Sequence, residues 1–143
     1  MKVSFTILGE PASKANSREL VTIGPRDARR PILRKSDKAL AYERDALRQI
    51  PPAARIRLDG EVRVSMRIFY ATERPDLDES LVLDILQDRY SGKGEERMLV
   101  QRGVYRNDRQ VREKHVFHGI DRANPRTEIV VEPLQAQQAE LLA

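Results

Sequence analysis

The most chemically distinctive part of the sequence is a pair of acids, Asp76 and Asp78, that follows Pro75. Pro75 favours an extended backbone at Arg74, and if the extension continues, side chains two residues apart point the same way. The two carboxylates would then face one point, where they repel each other unless a cation lies between them. Mg²⁺ suits such a place, because it binds one or two carboxylates and keeps water or substrate phosphate as its other ligands.

The same residue types also fit an ordinary structural role. Asp78 can cap a helix, and Asp76 can lie near the helix N-terminus, where the helix dipole favours negative charge. A third acid, Asp108, follows Asn107, and Asn-Asp is by itself a common turn sequence. On these residues alone, a metal site and a set of caps and turns both stay open.

Several motifs together resemble one protein family. Pro-Asp-Leu-Asp at 75–78 opens a predicted helix, and Gly-Val-Tyr-Arg-Asn-Asp-Arg-Gln-Val follows at 103–111. Pro11, Lys14 and the helix start at 36–42 also match in type and place. The chain therefore resembles the RusA family of Holliday junction resolvases over most of its length.

The resemblance implies a function and a set of site residues. By motif, Asp76, Asp78 and Asp108 are the catalytic residues and the metal ligands, with Mg²⁺ as the cofactor and Mn²⁺ as a substitute. The implied activity is metal-assisted hydrolysis of DNA, in which a homodimer resolves a four-way junction by paired nicks during recombination and repair. The resemblance also implies that the protein comes from a phage or prophage.

The sequence departs from the family pattern after the first acidic motif. Family members commonly carry lysine or glutamate one turn into the helix, where this chain has Leu81 and Val82. Asp84 and Asp88 are both candidates for an aspartate near the helix end, at spacings that differ from the family's. Residues 89–102 are interpreted as an inserted flexible loop facing DNA or a dimer partner. Their Ser-Gly-Lys-Gly lacks the spacing of a phosphate-binding P-loop, so no nucleotide cofactor is predicted.

The charge distribution favours a nucleic-acid partner. Residues 1–60 hold 13 Lys and Arg against 7 Asp and Glu, whereas residues 61–143 hold 13 against 15. Arginine accounts for 20 of the 26 basic residues, although a G+C-rich genome would produce the same bias. The candidate DNA contacts lie in the basic loop or near the acids, and they are Lys14, Arg18, Arg34, Lys35, Arg74, Arg106, Arg109 and His118.

Composition excludes several other classes. The chain has no cysteine, so thiolate metal sites, cysteine nucleophiles and disulfides are absent. No stretch approaches the ~20 apolar residues of a membrane span, and the N-terminus does not resemble a signal peptide, so a cytoplasmic protein without a membrane partner is expected. The length of 143 residues predicts one domain over 1–143.

Apolar periodicity predicts the elements that position these residues. Strands are predicted over 1–8, 62–70, 111–117 and 127–132, with further strand material at 104–105. Helices are predicted over 37–50 and from Asp78 to about Tyr90. Residues 11–35 are predicted to be a long loop with a short strand at 20–23, and the tail at 135–143 a short helix or a frayed end. The order predicts an α+β domain of two layers, a mixed sheet with two main helices on one face.

Two other functions stay open at this level. The acids could be caps and turns of a noncatalytic DNA-binding or prophage regulatory protein. Alternatively, the same core could belong to a metal nuclease that acts on other branched DNA or on RNA.

Overall fold

A four-stranded mixed sheet forms the centre of the fold. The computed structural model describes residues 1–134, so the predicted tail at 135–143 lies outside the described residues. The strands are β1 (Val3–Leu8), β2 (Arg18–Ile23), β3 (Arg30–Lys35), β4 (Val62–Tyr70), β5 (Arg89–Ser91), β6 (Met98–Gln101), β7 (Val111–Ile120) and β8 (Arg126–Pro133). The α-helices are α1 (Asp37–Gln49) and α2 (Glu79–Ile85), and four short 3-10 turns lie between the elements.

The strands of the central sheet lie in the order β1, β8, β4, β7. The β1–β8 and β8–β4 pairs are antiparallel, whereas β4 and β7 run parallel. Every second residue of β4, from Val62 to Tyr70, is buried, and these side chains join those of both helices in one core. The prediction of a mixed sheet in an α+β domain is therefore confirmed.

Helix α1 begins where its sequence predicts and ends close to the predicted boundary. The Ser36 hydroxyl accepts a hydrogen bond from the backbone N–H of Ala39 at 3.1 Å, which caps the helix N-terminus. Ala39, Tyr42 and Ala46 are its buried apolar face, and Pro51 follows its end. The observed helix ends one residue before the predicted boundary.

Helix α2 is shorter than predicted, because it ends at Ile85 and not near Tyr90. Leu81, Val82 and Ile85 are buried as the apolar stripe requires. The chain then leaves the helix because Gln87 forms a β-bridge with Tyr105, and the next residues pair in a strand. Tertiary pairing thus replaces the last predicted turn.

Two predicted loops are in fact hairpins. Residues 18–35, inside the predicted loop, form the antiparallel ribbon β2–β3, of which only the part at 20–23 was predicted. Residues 89–101, interpreted as a flexible insertion, contain the β5–β6 hairpin. The predicted strand at 104–105 is reduced to bridges from Tyr105 to Leu58 and Gln87. No helix within residues 1–134 is long and apolar enough to cross a membrane.

Candidate active site

A pocket of about 470 Å³ lies where the foot of the β2–β3 ribbon meets α2 and the turn at 108–110. Three acids and three cations line it, together with two serines and one leucine. The lining residues are Lys14, Ser17, Arg18, Lys35, Asp78, Ser80, Leu81, Asp84 and Asp108. The fold therefore gathers charges of both signs from positions up to 94 residues apart.

Asp78 is buried at the wall of this pocket, directly before α2. The hydroxyl groups of Ser17 and Ser80 each donate a hydrogen bond to its carboxylate, one to each oxygen, at 2.5 Å. Burial by itself would raise the pKa of Asp78, but these hydrogen bonds outweigh burial and hold the pKa below its usual value. Asp78 is thus an ionised carboxylate at neutral pH.

Asp84 lies two turns along α2 from Asp78 and is held by a lysine. Lys35 Nζ at the end of β3 donates to Asp84 Oδ2 and to Glu43 Oε2, both at 2.6 Å. Arg89 donates to the second oxygen of Glu43, also at 2.6 Å. This network joins the β2–β3 ribbon to α1, α2 and β5.

The Lys35 ammonium is stabilised in its charged form. Partial burial would lower the pKa of Lys35, but the hydrogen bonds and charges of Asp84 and Glu43 outweigh it and raise the pKa above 10.5. A full positive charge therefore lies beside the acids at neutral pH. Any cation that binds Asp84 through Oδ2 must compete with this ammonium.

Asp108 begins a 3-10 turn that hydrogen bonds of the Gln110 side chain stabilise. The Gln110 side-chain amide donates to the backbone oxygens of Leu58 and Gly60, at 2.7 and 2.8 Å, and its oxygen accepts from the N–H groups of Arg106 and Asn107. Asn107 caps the turn in return by accepting from the Arg109 N–H. The Asn-Asp turn expected from the sequence is thus present.

Gln87 connects the turn to α2. Its side-chain nitrogen donates to Asp84 Oδ1 at 2.9 Å, and its side-chain oxygen accepts from the backbone N–H of Asp108 at 3.1 Å. One amide therefore sets the spacing between two acids that are 24 residues apart in the chain. Sequence reasoning gave Gln87 no role.

Asp76 does not line the pocket, although the sequence paired it with Asp78. Its side chain is exposed, whereas that of Asp78 is buried. Its backbone oxygen accepts hydrogen bonds from the Lys14 N–H at 3.2 Å and from the Tyr70 hydroxyl at 3.4 Å. In this structure Asp76 therefore anchors the N-terminal loop through its main chain.

Asp84 lines the pocket, and Asp88 does not. The Asp88 side chain is fully enclosed, where it pairs with Arg57 at 2.8 Å and accepts from the Gly103 N–H at 2.8 Å. Both acids were candidates from the sequence. Helical spacing in the sequence does not separate them, since Asp88 lies four residues after Asp84. They differ because α2 ends at Ile85, so Asp84 lies on the helix and Asp88 lies beyond it.

The predicted DNA contacts divide into two groups. Lys14, Arg18 and Lys35 line the pocket. The other five lie elsewhere. Arg34 pairs with Glu19 on the ribbon at 3.2 Å, and Arg106 pairs with Asp59 at 2.8 Å. Arg74 and Arg109 are exposed, and the His118 ring packs edge-on against the Tyr70 ring with 5.1 Å between the ring centroids. The pocket therefore draws its cations from the N-terminal third of the chain.

The donor atoms of the pocket suit a hard divalent cation. Within residues 1–134, no three His, Cys, Asp or Glu side chains are close enough to form a ready-made metal cage. Mg²⁺ does not need one, because it binds through one or two carboxylates and takes waters and phosphate oxygens as its other ligands. Asp78, Asp84 and Asp108 supply carboxylates of this kind to one pocket.

Comparison with protein-family models and with curated proteins found no match to this chain.

Proposed function

We propose that this protein is a divalent-metal-dependent endonuclease that cuts branched DNA, with the pocket at Asp78, Asp84 and Asp108 as its active site. The observation that carries the proposal is the presence of three carboxylates and three cations in one pocket. Acids alone would repel a nucleic acid, and cations alone would only bind it. Both together suit the cleavage of a phosphodiester.

The residues of the pocket divide into two roles. Asp78, Asp84 and Asp108 are the candidate ligands, of which one or two would hold Mg²⁺ at a time, and the hydroxyls of Ser17 and Ser80 keep Asp78 ionised and oriented. When bound, Mg²⁺ supplies an activated water and neutralises charge on the phosphate. Lys14 and Arg18 line the same pocket without an ion pair to any of residues 1–134, so their charges are available to bind the phosphates of the DNA next to the metal.

The resemblance to RusA resolvases supports the substrate and the assembly that we propose. A four-way junction is two-fold symmetric, and a homodimer with one such pocket in each subunit would place two cuts symmetrically across it. The resemblance also keeps Asp76 as a fourth candidate ligand. We place the protein in the cytoplasm with its DNA substrate, and sedimentation equilibrium of the full chain tests the dimer.

Cleavage of a synthetic four-way junction tests the active site. We expect Asp78→Asn, Asp84→Asn and Asp108→Asn each to abolish Mg²⁺-dependent nicking while junction binding persists. Asp45→Asn is the matched control, because Asp45 is an exposed acid on α1 away from the pocket. Undiminished cutting by the Asp78 variant would refute the site.

Asp76→Asn in the same assay separates the motif from the pocket. Full loss of cutting would mean that Asp76 turns into the site when metal and DNA bind. Near-normal cutting would mean that Asp84 takes the place of Asp76 as a ligand.

Two other outcomes would identify a different function. Metal-independent binding with no cutting of any substrate would identify a noncatalytic DNA-binding or regulatory protein. Preferential cutting of flaps, forks or RNA over four-way junctions would identify a metal nuclease of another specificity. Competition among these substrates in one assay distinguishes the three cases.

A further inference from the structure

The β2–β3 ribbon carries an exposed apolar pair next to the pocket. Leu20 and Leu33 are directly opposite each other in the ribbon, and their exposed fractions are 70% and 67%. Cross-strand partners have their side chains on the same face, so the two leucines form one apolar patch in solvent. Nothing within residues 1–134 covers it.

This patch is continuous with the pocket. Arg18 and Lys35, which line the pocket, are the pair two residues away along the ribbon and lie on the same face as the leucines. Two residues of a strand span about 7 Å, so the patch begins about one nucleotide's width from the pocket. The spacing is therefore suitable for a base next to the phosphate that is cut.

Cations flank the patch on both sides. Arg18 and Lys35 lie at the foot of the ribbon, and Arg26, Arg29 and Arg30 are exposed around its tip. The three tip arginines have no ion pair among the described residues. A DNA strand along the ribbon would pair its phosphates with Arg18 at the foot and with the arginines at the tip, and would lay its bases over the leucines. Lys35 is held by Glu43 and Asp84.

The ribbon is held firmly relative to the acids. Ser17, at its foot, donates to Asp78, and Lys35, at its other foot, donates to Asp84. The Ser36 N–H also donates to the Ser17 backbone oxygen at 3.0 Å, which ties the two feet together. Whatever rests on the leucines is thus placed at a set distance from the carboxylates.

We propose that Leu20 and Leu33 form a wedge that packs against an unstacked base at the branch point of the DNA. This inference rests on the proposed nuclease function. Leucine is among the apolar side chains that proteins insert between base steps to unstack them. A branch point is a suitable target, since stacking is already interrupted where the arms meet. The wedge would make the protein prefer branched over continuous DNA.

Fluorescence of 2-aminopurine beside the branch point of a four-way junction tests the wedge, in EDTA so that the DNA stays uncut. We expect the wild-type chain to raise the fluorescence, because unstacking removes its quenching. The double variant Leu20→Ser, Leu33→Ser should lose this rise and bind the junction about tenfold more weakly, which is the effect expected when two leucine side chains lose a partly buried apolar contact. Its affinity for continuous duplex should stay unchanged.

The matched control is Met98→Ser, Val100→Ser, which removes two similarly exposed apolar side chains from the β5–β6 hairpin. This control should behave as the wild type. An unchanged fluorescence rise in the leucine variant would overturn the wedge. So would a lower molar mass of that variant in sedimentation, because the leucines would then be a contact between two copies of the chain.

Failure of the wedge differs from failure of the nuclease function. If the wild type cuts junctions with Mg²⁺ and the leucine variant gives the full fluorescence rise, only the wedge is wrong. If the wild type neither cuts nor prefers branched DNA, both proposals are overturned.

Discussion

Replacing Lys35 with methionine tests whether the ammonium and a metal ion compete for the same acid. Methionine keeps an apolar stem but cannot donate the two 2.6 Å hydrogen bonds to Glu43 and Asp84. A hydrogen bond to a charged group contributes about 1.5–3 kcal/mol, but solvent screens this pair because the Lys35 and Asp84 side chains are 24% and 33% exposed. We therefore expect a loss of about 2 kcal/mol, which lowers the Tm by roughly 6 °C for a chain of this size.

The response to Mg²⁺ should change in the opposite direction. In the wild type the metal must displace the ammonium from Asp84, whereas in Lys35→Met the carboxylate is free of it. A ligand at ten times its Kd stabilises a protein by about 1.4 kcal/mol. Mg²⁺ should therefore raise the Tm of the variant by about 4 °C, and that of the wild type by less.

Thermal unfolding followed by circular dichroism, with and without MgCl₂, measures both effects. The contribution of Lys35 is fully present below pH 10.5 and is lost as pH rises through its higher folded pKa, so neutral pH suits the comparison. Lys38→Met, an exposed lysine on α1, is the control. An equal Mg²⁺ shift in wild type and Lys35→Met would refute the competition, and an unchanged Tm would refute the stabilising role of the network.

Three further predictions concern the residues around the pocket. Gly103→Ala should lower the free energy of unfolding by about 3 kcal/mol, seen as an earlier thermal transition, because its Cβ would lie 2.4 Å from a backbone carbon. Asp88→Asn should lower the Tm but keep cleavage per folded molecule, and a folded yet inactive variant would contradict its structural role. Ser17→Ala should raise the pKa of Asp78, because the carboxylate loses a donor. In a plot of cleavage rate against pH, the rise on the acidic side should then occur at higher pH for Ser17→Ala than for the wild type. An unchanged profile would show that the ionisation of Asp78 does not control this rise.

Periodicity in the sequence was enough for the elements that form the core. Strict alternation from Val62 to Tyr70 identified β4, and the capping Ser36 identified the start of α1. These signals are local, because each reflects one buried face on one element. The mixed sheet followed from their order along the chain.

The two hairpins were harder to predict because their burial is low. On β2 the residues alternate between exposed and partly buried, whereas on β3 only Ile32 and Lys35 are partly buried. No strong apolar repeat therefore distinguishes a ribbon of this kind from a loop. Its existence depends on pairing between strands, which a single segment does not reveal.

The candidate site was predicted only in part, and the difference between its acids is a matter of tertiary placement. The sequence by itself determined which acids were available and that Asp78 would stand before a helix. It did not distinguish Asp84 from Asp88 as a site residue, and it paired Asp76 with Asp78. Only the packing of the ribbon, α2 and the turn at 108–110 decided that Asp78, Asp84 and Asp108 share a pocket while Asp88 binds Arg57. The reason is physical: local sequence sets which way a side chain points from its own element, but a pocket is formed by several elements, and their positions follow from the core that they bury together.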